Sequence, residues 1–266
     1  MLEPRRLLGY ATICGMLALA IGCVPEPNET ESSAQDIYGG TADKTHPAVV
    51  LLKSGRHFCS GTIVQTDGEQ AWVVTAAHCG LSADWTRWNV QYRDTAGTTQ
   101  NIDVVEGNSH PSSWDGTTDV ETREDMLAIA EYDVAVVRIE DAPNLPTAIP
   151  IPNLTDSLAI NSPLTMIGYG YTDSSGTDTT TNGRRTTTAK VAHAPVTTPG
   201  AFDWWQGDAS GVCYGDSGGA VLNQLGQLVG SVVGGDDATA VSCDNQYGIA
   251  HRVWSTLRWI HAQLAS

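Results

Sequence analysis

The sequence is short of cations, of phenylalanine and of long apolar runs. Lys and Arg together number 14 against 30 Asp and Glu, a formal net charge of −16. A surface that acidic repels phosphate backbones and anionic lipid heads, which excludes nucleic-acid partners and a basic membrane-surface mode. Charged residues make up only 17% of the chain and apolar residues 41%, too apolar a balance for a disordered protein. Only 2 Phe accompany 27 Gly, 12 Pro, 8 Trp and 8 Tyr. That mixture, with abundant Thr, suits many short strands joined by turns better than a helical bundle. No Cys begins a C-x-x-C spacing, so a structural zinc site is not expected. Nor is there a phosphate-cradling or calcium-loop pattern, and no cofactor is expected.

The one sustained apolar run, residues 7–21, follows Arg5 and Arg6 and is too short to span a bilayer comfortably. It reads as an export signal covering residues 1–23. Its end, Ala20-Ile21-Gly22-Cys23, resembles the lipobox of bacterial lipoproteins, where the cysteine carries the lipid. A lipid at Cys23 is the only membrane attachment the sequence suggests, and the implied form is a bacterial-type secreted protein. Residues 24–36 are polar, acidic and proline-containing, a short propeptide or linker without the means to build a core. The folded domain is expected over residues 37–266, as a monomer.

Six cysteines divide into Cys14 and Cys23 in the export segment and Cys59, Cys79, Cys213 and Cys243 in the domain. In an exported protein the latter four imply two disulfides, and the count leaves all three pairings open. Runs rich in Val, Ile, Leu and Thr at 47–53, 62–65, 71–76, 134–139, 164–168, 220–223 and 228–233 read as strands between turn-forming clusters. Asn223-Gln224-Leu225-Gly226 reads as a hairpin connection, and the Thr- and Gly-rich stretch 174–188 as a surface loop. Helical spacing is convincing only at the end, through Val253, Leu257, Ile260 and Leu264. The expectation is an all-β domain closed by one C-terminal helix.

Three short blocks can carry chemistry. Gly215-Asp216-Ser217-Gly218-Gly219 holds a serine in a glycine-rich turn, where its hydroxyl is exposed and backbone N–H groups can face a developing oxyanion. Alone, such a pentapeptide is equally an ordinary turn. Val74-Thr75-Ala76-Ala77-His78-Cys79 runs an apolar strand into small residues that let an imidazole sit against the backbone. Alone, His78 is a surface histidine. Asp133, just before the apolar run Val134-Ala135-Val136-Val137, is either a strand-start cap or a buried partner for an imidazole.

Taken in this order, the blocks resemble the chymotrypsin/trypsin family of serine endopeptidases. The resemblance extends through Ile37-Tyr38-Gly39-Gly40, Cys59-Ser60-Gly61-Thr62-Ile63 and Ile167-Gly168-Tyr169-Gly170, and so covers essentially all of residues 37–266. It implies two six-stranded antiparallel β-barrels packed together, with a C-terminal α-helix. It also implies a catalytic triad of Ser217 as nucleophile, His78 as general base and then acid, and Asp133 orienting the imidazole. The oxyanion hole would be the N–H groups of Gly215 and Ser217. The implied disulfides are Cys59–Cys79 and Cys213–Cys243. In the family a cut frees the amino group of the Ile37 equivalent to pair with the Asp216 equivalent. That implies a zymogen cut after Asp36, by a different protease, since Asp36 stands where most of the family has Arg or Lys.

Motif matching puts Gly211 at the floor of the specificity pocket, followed by Val212, with Gly235 and Gly248 as its walls. No carboxylate stands at the floor, so protein or peptide substrates with apolar rather than basic residues before the cleaved bond are expected. Asp208, Asp236 and Asp237 could charge the rim. Val233 and Gly234 stand where the family usually has Ser and Trp. Trp204 and Trp205 could line a substrate subsite, with burial under a loop the favoured expectation, and His46, His57, His193, His251 and His261 are expected to be surface or packing residues. Two rivals remain on sequence grounds. An α/β-hydrolase also uses G-x-S-x-G but needs a helix directly after the serine, with acid and histidine following. A catalytically inactive relative acting as a binding module would normally have lost one of the three triad residues.

Overall fold

In the computed structural model, residues 37, 40–82, 84–153, 158–172, 183–193, 199–205, 211–236, 243 and 247–266 are described. Residues 1–36, on which the expected export signal, Cys23 and linker fall, and residues 173–182, Asp208 and Asp237 lie outside them.

The first barrel is built from β2 (Val49–Ser54), β3 (His57–Asp67), β4 (Gln70–Thr75), β5 (Asn89–Arg93), β6 (Thr99–Ser109) and β7 (Ala135–Ile139). These strands close in the order β2-β3-β4-β7-β6-β5, every neighbour antiparallel. The second uses β8 (Pro163–Gly168), β9 (Arg185–His193), β10 (Ala201–Trp205), β11 (Ala220–Leu222), β12 (Leu228–Gly235) and β13 (Tyr247–Arg252). Its order is β9-β10-β13-β12-β11-β8, closed by β8 pairing with β9, while the two-residue β1 (Thr41–Ala42) adds to β9. Two antiparallel barrels of six strands each are therefore present, as expected.

Burial explains the strands. In β4 all residues after Gln70 are buried, and Val49 to Leu52 of β2 are buried without a break, because both lie where the first barrel's interior meets its neighbours. The second barrel packs Leu164, Met166, Phe202, Trp204, Val221, Val229 and Val232 against one another. The C-terminal chain makes a 3₁₀ turn over Val253–Thr256 and then α2 (Leu257–Leu264), placing Val253 and Ile260 in the larger core as the spacing requires. The Asn223–Gly226 hairpin forms, with the Gly226 N–H donating to the Asn223 carbonyl at 2.9 Å.

Three expectations need correction. The strands β5, β6, β9, β10 and β13 lie outside the apolar runs: β5, β6 and β9 are largely polar, β6 burying only Val104 and β9 only Val191, whereas β10 and β13 are short and interrupted by Asp203 and by Gly248 and His251. For the same reason the last part of the stretch 174–188 is not loop, since β9 begins at Arg185. A second helix, α1 (Arg123–Ala130), lies between β6 and β7 and starts with a capping box between Thr122 and Asp125. The chain after Ser217 enters strand β11 rather than a helix, which removes the α/β-hydrolase reading.

Candidate active site

Antiparallel pairing brings the first two residues together. Thr75 at the end of β4 is opposite Ala135 at the start of β7. The chain leaving β4 therefore turns at the same end of the barrel where the chain enters β7. His78 sits in the 3₁₀ turn Ala77–Ser82, which the Cys59–Cys79 disulfide ties back to β3, and Asp133 is just upstream of β7. The Asp133 carboxylate, 1% exposed, takes both of its hydrogen bonds from His78. The backbone N–H donates to Oδ1 at 2.8 Å and the ring Nδ1–H to Oδ2 at 2.6 Å. An ionised carboxylate only accepts, so the ring proton is on Nδ1 and Nε2 is left as the acceptor. Burial alone would lower the His78 pKa, but the charge of Asp133 and its hydrogen bond outweigh that and raise it above the ordinary imidazole value.

Ser217 comes from the other barrel, on the turn before β11. Its backbone carbonyl accepts from the Ser60 N–H at 2.8 Å, and the Ser60 hydroxyl donates to the Gly215 carbonyl at 2.8 Å. Ser60 is buried completely and thus stitches the serine turn to β3. Sequence reasoning missed it; its place beside Cys59 was the only clue. At Gly218 a Cβ would lie 2.2 Å from the Ser60 carbonyl oxygen and from the Thr75 hydroxyl, so only glycine lets the barrels close here. Asp216 points away from the cleft and is 1% exposed; it accepts from the N–H of Gly170 at 2.8 Å and of Cys213 at 2.9 Å. A Cβ on Gly170 would collide with that carboxylate at 2.3 Å, which gives the Gly168-Tyr169-Gly170 segment its physical reason. Ile37 is likewise buried, at 1% exposure.

The backbone of the turn is divided in its hydrogen bonding. The N–H groups of Asp216, Gly218 and Gly219 donate to the carbonyls of Cys213, Val232 and Asp216. Those of Gly215 and Ser217 have no acceptor among the described residues. The Ser217 hydroxyl donates to the Val233 carbonyl at 3.4 Å rather than to His78, although both side chains line the same cleft. Such bonds commonly tighten only with substrate bound.

The cleft opens into a cavity of about 610 Å³ lined by Val212, Val233, Gly234 and Gly235 on one side and by Met126 and Ile129 of α1 on the other. Of the four pocket positions expected, Val212 and Gly235 line it while Gly211 and Gly248 do not. Gly248 is set against Trp204 instead. Gly248 pairs with Trp204 across β10–β13 and with Gly235 across β12–β13, and a Cβ on Gly248 would meet the indole at 2.1 Å. The indole is fully buried in the second barrel's core, and Gly248 packs against it there. A second cavity, of about 460 Å³, lies on the far side of His78 and Ser217, with Arg56, Phe58 and Tyr171 in its wall.

The pairing Cys213–Cys243 also forms, with its Cα atoms 5.1 Å apart. A model of the family described as Trypsin matches residues 37–260. The chain belongs to the trypsin family. It is a serine-type endopeptidase with the fold and disulfides of that family. It is 28% identical over 263 residues to chymotrypsin-like elastase family member 1 of Bos taurus, covering 86% of this chain and 90% of the relative. It is 27% identical over 257 residues to trypsin of Sus scrofa, covering 86% and 96%. Among solved structures, human heparin binding protein superposes with a TM-score of 0.69 at 16% identity, covering 86% of this chain and 97% of that one. Among the described residues no helix is long and apolar enough to cross a membrane.

Beneath the site lies His251, 0% exposed. Its Nδ1 is 3.0 Å from the Ala130 carbonyl and its Nε2 2.8 Å from the Thr256 hydroxyl. The carbonyl can only accept, so Nδ1 holds the proton and Thr256 donates to Nε2. Burial pushes the His251 pKa down to about 4, against the upward pull of the Ala130 carbonyl and the Asp133 charge. The unfolded chain binds this proton from the ordinary value of 6.5 downward, the folded one only near 4. The contribution of this group to stability is therefore complete above pH 6.5 and is lost as the pH drops toward 4, about 3 kcal/mol in all. Urea unfolding from pH 7 to 3.5 should show this slope in the wild type and a shallower one in His251→Gln. Equal slopes would remove His251 as its source.

Proposed function

We propose that the chain is exported as a precursor, cut before Ile37, and that the processed domain hydrolyses peptide bonds through an acyl-enzyme. In this reading the Ser217 oxygen attacks the substrate carbonyl while His78 Nε2 takes its proton. The oxyanion that forms is held by the N–H groups of Gly215 and Ser217. The C–N bond then breaks, His78 returns the proton to the leaving amine, and water repeats the sequence on the ester. Asp133 keeps the ring in the tautomer that accepts at Nε2. The observation that carries this reading is the pair of N–H groups left without acceptors on either side of Asp216, in a turn whose neighbouring N–H groups are used.

The α-amino group freed at Ile37 pairs with Asp216 and orders the turn, because a buried carboxylate gains most from a charged partner. Another protease makes the cut, since Asp36 suits neither an enzyme that selects Lys or Arg nor the apolar preference proposed for this domain. Where Cys23 is lipidated, the same cut releases a monomeric, extracellular domain from a bacterial envelope. Val212, Val233, Met126 and Ile129 in the cavity lining support an apolar residue before the cleaved bond. N-terminal sequencing of the active form, fluorophosphonate labelling and cleavage of a peptide library test the reading together. The expected results are Ile37 as first residue, label on Ser217 and no preference for Lys or Arg. Absence of label on protein cut before Ile37 would overturn it.

A further inference from the structure

Helix α1 belongs by chain order to the first barrel, between β6 and β7, yet it packs on the second. Ala130 is buried with Ala201, Val233 and Ile249, and Met126 and Leu127 join them. At the other end of the helix Arg123 donates to the Asp203 carboxylate, which is 2% exposed and also accepts from the His193 N–H at 3.1 Å. A buried carboxylate holds its partners firmly, since losing one leaves an uncompensated charge. Capping box, ion pair and apolar seat together leave α1 little freedom to roll. One turn therefore faces the cleft, and Met126 and Ile129, three residues apart, share that face.

Opposite them is Gly234, which brings no side chain. A Cβ built there would lie 3.0 Å from the Met126 terminal methyl, and among the described residues, its two chain neighbours aside, nothing else comes within 4 Å. Met126 thus takes the space that a side chain at position 234 would fill, and an unbranched thioether fits such an irregular gap. The cavity of about 610 Å³ is within the range that holds a small ligand, and so exceeds one short apolar side chain. We infer that Met126 and Ile129 are specificity-determining residues that select an apolar side chain upstream of the cleaved bond, with Met126 and Gly234 setting the size accepted.

This rests on the reading that the cavity receives the acyl half of a peptide substrate. The test is a peptide library cleaved by processed wild type, Met126→Ala and Gly234→Ala, each first shown by fluorophosphonate labelling at Ser217 to be folded. Met126→Ala widens the cavity and should move the preference at one upstream position toward larger aromatic side chains, by about tenfold in kcat/KM. Gly234→Ala pushes the methionine into the cavity and should move the preference at that same position toward smaller ones. Both changes should fall mainly on KM rather than kcat, as for a binding contact. Unaltered library profiles in both labelled variants would overturn the inference and leave the endopeptidase reading intact. A wild type that takes no label would instead remove the underlying reading and this inference with it.

Discussion

Processed protein carrying Ser217→Ala should lose on the order of 10⁶ in turnover, the scale known for a triad without its nucleophile. What survives is the contribution of groups the substitution does not touch, the free N–H groups of residues 215 and 217 and the cavity. The fold should be unaffected, because the serine hydroxyl makes one long bond, 3.4 Å to the Val233 carbonyl. Far-ultraviolet circular dichroism and the urea midpoint should therefore match the wild type while hydrolysis and fluorophosphonate labelling vanish. Residual hydrolysis within tenfold of wild type would place the nucleophile elsewhere. Failure of the wild type itself to label would favour a binding module built on this fold.

The second large effect concerns Asp133→Asn. The His78 backbone N–H donates to Oδ1, so the amide oxygen of the asparagine must take that place. Its NH₂ then faces Nδ1, 2.6 Å away in the wild type, and forces that nitrogen to accept. The ring proton moves to Nε2, the atom that must receive the proton of Ser217. A loss of about 10⁴ in kcat is expected, a magnitude carried over from the chymotrypsin family rather than derived from these distances. The pH profile should change as well. Activity requires a neutral imidazole and so rises through the His78 pKa, which the Asp133 charge holds above its ordinary value. Without that charge the rising limb should shift to lower pH, and an unmoved limb would show that the carboxylate does not set it.

Those effects concern residues that stand out in the amino-acid sequence, each within a short local pattern. Less of the surroundings could be read. Ser60 is one polar residue between Cys59 and Gly61 until the barrels meet, and only then does its hydroxyl reach a carbonyl 155 positions away. Gly248 fits a pocket wall by motif, but its environment is decided by a strand partner, Trp204, that no local pattern connects with it. Helix α1 escaped because it has only eight residues and its apolar ones, Met126 to Ala130, run together instead of recurring at helical spacing, and the α1 face that docks consists largely of Met126, Leu127 and Ala130. The polar strands β6 and β9 escaped because barrel closure requires pairing along the backbone even where few side chains are buried.

Sequence alone determined the all-β class, the terminal helix and the three chemistry-bearing blocks, because strand runs, helical spacing and glycine-rich turns are properties of neighbouring residues. Tertiary structure alone decided that both oxygens of Asp133 are held by His78, that the Ser217 hydroxyl turns toward Val233, and that Met126 rather than residue 234 fills the cleft. Those outcomes depend on strand register and on the closure of two barrels, which bring together residues scores of positions apart.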